Sequence, residues 1–136
     1  MKKTKNLLLL GLLAITAILN SCSKDSDKNP GGETTIKYEV TGNYTGQMTV
    51  VFTNETGSNG SELVTSLPWS KEVKVKNATP GNGVGFGGGW MPGQPLGAAG
   101  QSVTAKIYAN GTEKTKANTT TNNSGGISIP SLAYTF

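Results

Sequence analysis

The sequence predicts an all-β domain over residues 36–136, a small antiparallel sandwich, and three observations carry that prediction. Apolar residues recur with a period of two, as on a strand with one buried face, and no segment shows the 3.6-residue period of an amphipathic helix. Clusters of Gly, Asn, Pro and Ser separate these runs at intervals of about ten residues, the spacing of short strands joined by turns. The runs themselves are rich in Val, Ile, Thr, Tyr and Phe, residues that pack well on a pleated, half-buried surface.

The elements follow in order. Ile36, Tyr38 and Val40 alternate with Lys37 and Glu39 in a first strand, and Met48, Val50 and Phe52 mark a second. Asn43-Tyr44-Thr45-Gly46 between them predicts a hairpin. Ser61–Ser66 reads as a third strand that ends at Leu67-Pro68-Trp69, where proline stops the ladder. Val73 and Val75 then alternate with Lys74 and Lys76, two lysines that belong to a solvated sheet face. Val84 and Phe86 sit in a glycine-rich stretch, and Val103, Ala105 and Ile107 alternate again. Asn110-Gly111 is a strong hairpin signal, because both residues tolerate the positive φ of a type I′ turn, and residues 112–120 supply the returning strand. Ile127–Phe136 is the last strand, and Pro130 within it requires an edge or a bulge. Two amphipathic sheets that bury one face each give an immunoglobulin-like β-sandwich of about seven strands.

The first 35 residues have another character. Lys2, Lys3 and Lys5 precede an apolar run from Leu7 to Leu19. Those 13 residues would span about 20 Å as a helix, short of the roughly 30 Å of a bilayer's hydrocarbon core, so residues 1–21 read as a secretory signal peptide. Leu19-Asn20-Ser21-Cys22 resembles the bacterial lipobox, in which the cysteine sulfur receives a diacylglycerol and the peptide is cut before it. That resemblance implies an acylated Cys22 and attachment to a membrane. Two or three acyl chains, each buried methylene adding roughly 0.8 kcal/mol, anchor firmly where one would not. Residues 22–35 are polar, carry Pro30, Gly31 and Gly32, and form a flexible tether. Ser23 after the cysteine resembles the pattern of outer-membrane lipoproteins, and Ser23-Lys24-Asp25-Ser26-Asp27 resembles the surface-export signal of Bacteroidetes lipoproteins. The expected place is the outer membrane, at its periplasmic face or at the cell surface.

Composition removes several classes of function. The net charge of +4 belongs largely to the leader, since without Lys2, Lys3 and Lys5 nine lysines face eight acids. The chain has no arginine, the residue best shaped for phosphate and guanine, and its lysines form no basic block, so nucleic acid is not an expected partner. It has no histidine and one cysteine, which leaves no Ser-His-Asp triad, internal disulfide or cysteine-based metal cluster. Glu33, Glu39, Glu55, Glu62, Glu72 and Glu113 fall on separate strands or turns, with no spacing that argues for acid–base work. Gly83-Val84-Gly85-Phe86-Gly87-Gly88 satisfies G-x-G-x-x-G by letter, but Gly89-Trp90-Met91-Pro92-Gly93 cannot start the helix that a dinucleotide site needs. A bulge, or a strand closely approached by another backbone, explains the glycines better. No enzyme, cofactor or metal site is expected.

Three segments together resemble the MmpS family of mycobacterial membrane-associated proteins: Tyr38-Glu39-Val40-Thr41-Gly42, Leu67-Pro68-Trp69-Ser70, and Val103–Gly111. The resemblance implies a small β-sandwich on the outer side of a membrane that assists lipid and siderophore exporters. The chain departs from the family in having a lipobox where the family has a transmembrane helix, and Ala105-Lys106 where the family often has a cysteine. Read by itself, Leu67-Pro68-Trp69-Ser70 ends one strand and places a tryptophan to plug an end of the sandwich.

Residues 90–96 form the loop with most binding potential, stiffened by Pro92 and Pro95, with Trp90 and Met91 at its start. Trp90, Met91 and Phe86 are the candidate contacts for a glycan, a lipid or a neighbouring membrane or envelope protein. The expected role is therefore a non-catalytic binding or accessory module of an envelope or transport complex. The alternative is a structural, adhesin-like lipoprotein that self-associates when its C-terminal strand adds to a neighbour's sheet edge.

Overall fold

The computed structural model describes residues 32–76, 78 and 81–136. Cys22, the expected signal peptide and the expected tether through residue 31 lie outside the described residues. The described residues form eight strands: β1 (Thr34–Gly42), β2 (Met48–Thr53), β3 (Asn59–Val64), β4 (Trp69–Val75), β5 (Gly83–Gly89), β6 (Ser102–Ala109), β7 (Thr112–Thr120) and β8 (Ser128–Thr135). They form two four-stranded antiparallel sheets, ordered β4-β1-β6-β7 and β3-β2-β5-β8. This is the expected sandwich, and no described helix is long and apolar enough to cross a membrane.

Alternation places the core. Ile36, Tyr38 and Val40 of β1 face inward beside Val103, Ala105 and Ile107 of β6, and meet Met48, Val50, Phe52, Val84 and Phe86 of the other sheet. Full burial of each large apolar side chain contributes about 1.5–3 kcal/mol, which makes this layer the main source of stability. β1 begins at Thr34, two residues ahead of its expected start, and β3 ends at Val64, so Thr65 and Ser66 belong to the loop that follows.

One expectation is overturned. Asn43–Gly46 does not close a hairpin, because β1 pairs with β4 and β6 while β2 pairs with β3 and β5. The chain crosses from one sheet to the other there. Alternation reports which face of a strand is buried but not which strand lies beside it, and both strands meet the same core from opposite sides. The Asn110-Gly111 turn does join β6 to β7, with φ of 48° and 81° at its two residues, both in the left-handed region that a type I′ turn requires.

The glycine-rich stretch is β5, an interior strand. A Cβ on Gly88, whose φ is 148°, would collide with the Thr49 carbonyl of β2, so only glycine lets the two backbones approach. The β5–β8 register shifts between Phe86 and Gly88, opposite Pro130, and β8 is an edge strand. Proline thus stands both at an edge and at a bulge, where its missing N–H costs least.

A hydrogen bond links the sheets through the core. Tyr38, fully buried, donates its hydroxyl to the Thr53 carbonyl at 2.8 Å, and Thr53 Oγ1 accepts from the Gly85 N–H at 2.9 Å. The Tyr38 ring packs against Phe52 and Phe86 at centroid distances of 5.4 and 5.1 Å. At the β3–β4 edge, Trp69 is half-buried and stacks on Phe86 at 6.0 Å. Its indole N–H reaches Glu62 Oε1 at 3.4 Å, and Lys71 pairs with Glu62 Oε2 at 3.2 Å. Glu62 stands opposite Val50 and Lys71 opposite Tyr38, so both charges point inward from edge strands. That arrangement deters a neighbour from adding a strand.

Burial pushes the Tyr38 hydroxyl up to about 12. A phenol whose folded pKa lies above its unfolded value stabilises the fold fully below pH 10 and loses that contribution as pH rises from 10 to 12, a loss on the order of 3 kcal/mol. Tyr38→Phe is expected to cost about 1–2 kcal/mol at neutral pH. It should also flatten the alkaline decline measured by urea denaturation between pH 8 and 12. Lys37, Lys106 and Tyr44, all shifted upward, keep part of the slope. An equally steep decline in the variant would refute the assignment.

Candidate functional site

The strand directions sort the loops between two ends. Residues 54–58, 76, 78, 81, 82 and 110–111 share one end with Thr34, where β1 begins. Residues 43–47, 65–68, 90–101 and 121–127 cluster at the other, which we term the apex. β1 runs between the two ends, and its nine residues span about 30 Å.

The 90–101 connection is long, yet it is fixed at both ends. Trp90 N–H donates to the Ile127 carbonyl at 2.8 Å, and its indole N–H donates to the Gln94 carbonyl at 2.8 Å. Gln94 in turn accepts from Met91 N–H at 2.9 Å and donates to Thr49 Oγ1 at 2.7 Å. At the far end Gln101 Oε1 accepts three donors: Thr45 N–H, Thr45 Oγ1 and Ala98 N–H at 3.1, 3.1 and 2.9 Å. Thr121 is buried and bridges Gln101 N–H to the Ala98 carbonyl through its hydroxyl. Gln47 N–H to the Pro95 carbonyl and Gly97 N–H to the Gly125 carbonyl join the neighbouring loops. The buried Tyr44 ring fits between Gly46 and Gly97, where a side chain on either would overlap it.

On this stiff support the exposed apolar groups stand out. Met91 is 47% and Leu96 46% exposed, beside exposed Pro92 and Pro95. The three expected contacts therefore separate. Met91 is at the surface. Trp90 is half-buried and folds back on the sandwich with its N–H already satisfied. Phe86 is 3% exposed and belongs to the core, because in β5 it faces the same interior as Val84, so it cannot meet a ligand in this fold. Leu96, Gln94 and Gln101 complete the loop's surface and supports. Leu67 and Trp69 are half-buried against the core, while Pro68, after a cis peptide bond, and Ser70 are exposed.

The apex carries no charged side chain. No Lys, Asp or Glu occurs in residues 40–54, 63–70, 77–105 or 117–136, so all four apical loops and the strand ends beneath them are uncharged. This was the signal that spacing alone did not reveal, since a run without charge belongs to no motif. The acids stand elsewhere, and four of the six described ones pair with lysine: Glu33–Lys74, Glu39–Lys37, Glu62–Lys71 and Glu113–Lys106. The Lys37 ammonium and then the Tyr108 hydroxyl hold the Glu39 carboxyl below its ordinary range, and Lys106 does the same to Glu113. At the Thr34 end a cleft of about 500 Å³ opens between Glu55, Lys76, Val75 and Phe136, with Glu55 as its one acidic side chain. Among the described residues no group of three His, Cys, Asp or Glu could hold a metal ion.

No protein-family model matches the chain, and no curated protein matches it. The three segments that resemble MmpS proteins meet along β1, where Val40 stands opposite Trp69 and Tyr38 opposite Ile107.

Gln101→Ala removes three bonds from one oxygen and is expected to cost about 1–2 kcal/mol. Hydrogen exchange should quicken at the Thr45 and Ala98 amides by more than it does at Tyr38, whose exchange follows global stability alone. Unchanged exchange at both loop amides would show that Gln101 does not hold the loop.

Proposed function

We propose that this chain is an envelope lipoprotein, acylated at Cys22 and held at the outer membrane, whose sandwich is a non-catalytic binding module with the apex as its contact surface. The observation that carries the reading is the rigid loop bearing exposed Met91 and Leu96 at the end opposite the tether. A domain held at one end presents the other end outward, and a loop already ordered loses little entropy on binding. Function concentrates on loops that a rigid scaffold positions. Assistance to a transport complex is the setting that the MmpS resemblance adds.

Self-association through strand edges has less support. β3 and β4 carry inward charges, β7 carries Lys114 and Lys116 on its exposed positions, and β8 is interrupted by Pro130. Each is a feature that blunts an edge.

Two measurements test the reading. Cys22→Ser should abolish incorporation of labelled palmitate and move the protein from the membrane to the soluble fraction; retention in the membrane would refute anchoring by this cysteine. A diazirine residue in place of Leu96 should give discrete adducts on irradiation of intact cells, and the same residue in place of Lys116 should give none. Equal yields from both positions would remove the apex as the contact surface.

A further inference from the structure

We propose that the apex binds an uncharged glycan, through the C–H faces of sugar rings on Met91 and Leu96 and through sugar hydroxyls on the amides and hydroxyl of Asn122, Asn123 and Ser124. This inference rests on the reading above that the apex is the contact surface, and it names the ligand class.

The argument starts from charge. The four apical loops hold 28 residues without one ionisable acid or base, in a chain with 15% charged residues. Their partner must therefore bring no charge that needs a counter-charge. An ordinary protein surface brings charges, about a quarter of its residues, and the apex offers them no partner. A phospholipid surface carries phosphates, and no lysine stands at the apex to receive them. Nucleic acid fails for the same reason. A neutral polysaccharide meets it, because each hydroxyl both donates and accepts and each ring has apolar C–H faces.

The arrangement of the loops fits such a ligand. The Gly97–Gly125 and Trp90–Ile127 bonds set the 121–127 loop against the 90–101 loop, so exposed residues 122–124 and exposed Met91, Pro92, Pro95 and Leu96 belong to adjoining loops. The 121–127 loop is itself held in place. Asn122 Oδ1 accepts the Ser124 and Gly126 N–H groups at 2.9 Å each, and Asn122 N–H donates to the Gly126 carbonyl at 2.8 Å. These bonds use the Asn122 oxygen and leave its amide nitrogen at an exposed position. A mixed strip of apolar and neutral polar groups on a stiff support suits a stiff, neutral, hydroxylated chain.

The test is affinity electrophoresis of the full-length protein in detergent, through gels containing amylose, β-1,3-glucan, mannan or galactan. At least one polysaccharide should retard the protein. Retardation should persist from about 0.1 M to about 1 M salt, over which the screening length falls from about 10 to about 3 Å. Leu96→Asp and Asn123→Asp should each weaken retention tenfold or more, whereas Glu72→Ser, on the outer face of β4, should leave it unchanged; a circular dichroism melt confirms that each variant folds. Retardation that disappears in high salt, or that survives both apical variants, overturns the proposal. So does the absence of retardation in all four gels. In that last case, discrete adducts from the position-96 diazirine would show that the apex still makes contact and only the ligand class was wrong, whereas their absence too would remove both readings.

Discussion

The two sheets of this sandwich are held in register by one side chain that cannot be left unsatisfied. Tyr38 has no exposed surface, and its hydroxyl would carry a desolvation cost of about 1–3 kcal/mol without a partner. It finds one across the interface, in the carbonyl of Thr53 on β2. Thr53 in turn accepts the Gly85 N–H of β5 on its hydroxyl, so strands from both sheets meet at one residue. Apolar burial is non-directional and would accept many relative positions of two greasy faces. A hydrogen bond in a dry interior accepts few, and the rings of Phe52 and Phe86 beside Tyr38 narrow the choice further.

Once the sheets are fixed, the rest of the molecule divides by polarity. The edges are guarded by inward charge at Glu62 and Lys71, by lysines on β7 and by proline on β8. The outer face of the β4-β1-β6-β7 sheet is a lattice of ion pairs around Tyr108, whose hydroxyl donates to Glu39 while the Lys37 and Lys106 ammonium groups lie 5.2 and 5.8 Å from its ring centre. The end that receives the tether carries Glu33, Glu55 and Lys76. The apex is free of charge, as are β2, β5 and β8 beneath it, and it presents half-exposed Met91 and Leu96 on a loop fixed by Gln94 and Gln101. Salt therefore screens the β4-β1-β6-β7 face more strongly than this end.

Much of the fold was legible because a strand with one buried face alternates, and β1, β2, β4 and β6 bury the residues that alternation marked. The Asn110-Gly111 turn and Pro130 were legible because their backbone constraints are intrinsic to the residue type. Pairing was less so. Asn43–Gly46 carries the composition of a tight turn, but whether a turn returns along its own sheet or crosses to the other depends on strands far away in sequence. Phe86 shows the same limit at the candidate site. Its neighbours are all glycines, which suggests an open loop, yet those glycines admit the β2 backbone and put Phe86 in the interior. Met91 was found from its place between Trp90 and Pro92, whereas the support from Gln101 came from bonds to residues up to 56 positions away.

The wiring of the sheets has a consequence for how such a chain becomes a folded protein. Of the seven connections only β2–β3 and β6–β7 are hairpins within one sheet, and the other five cross the sandwich. The central β1–β6 ladder joins Ile36 to Ala109, and β5 waits for β8 at the very end of the domain. Long loops must close before these ladders form, which makes folding slow relative to a chain of local hairpins. For a polypeptide exported as proposed, that delay is useful: little stable structure can assemble behind a partly threaded chain. A precursor of the kind proposed, with its β1–β6 and β5–β8 ladders unmade, would meet a membrane pore as an extended chain.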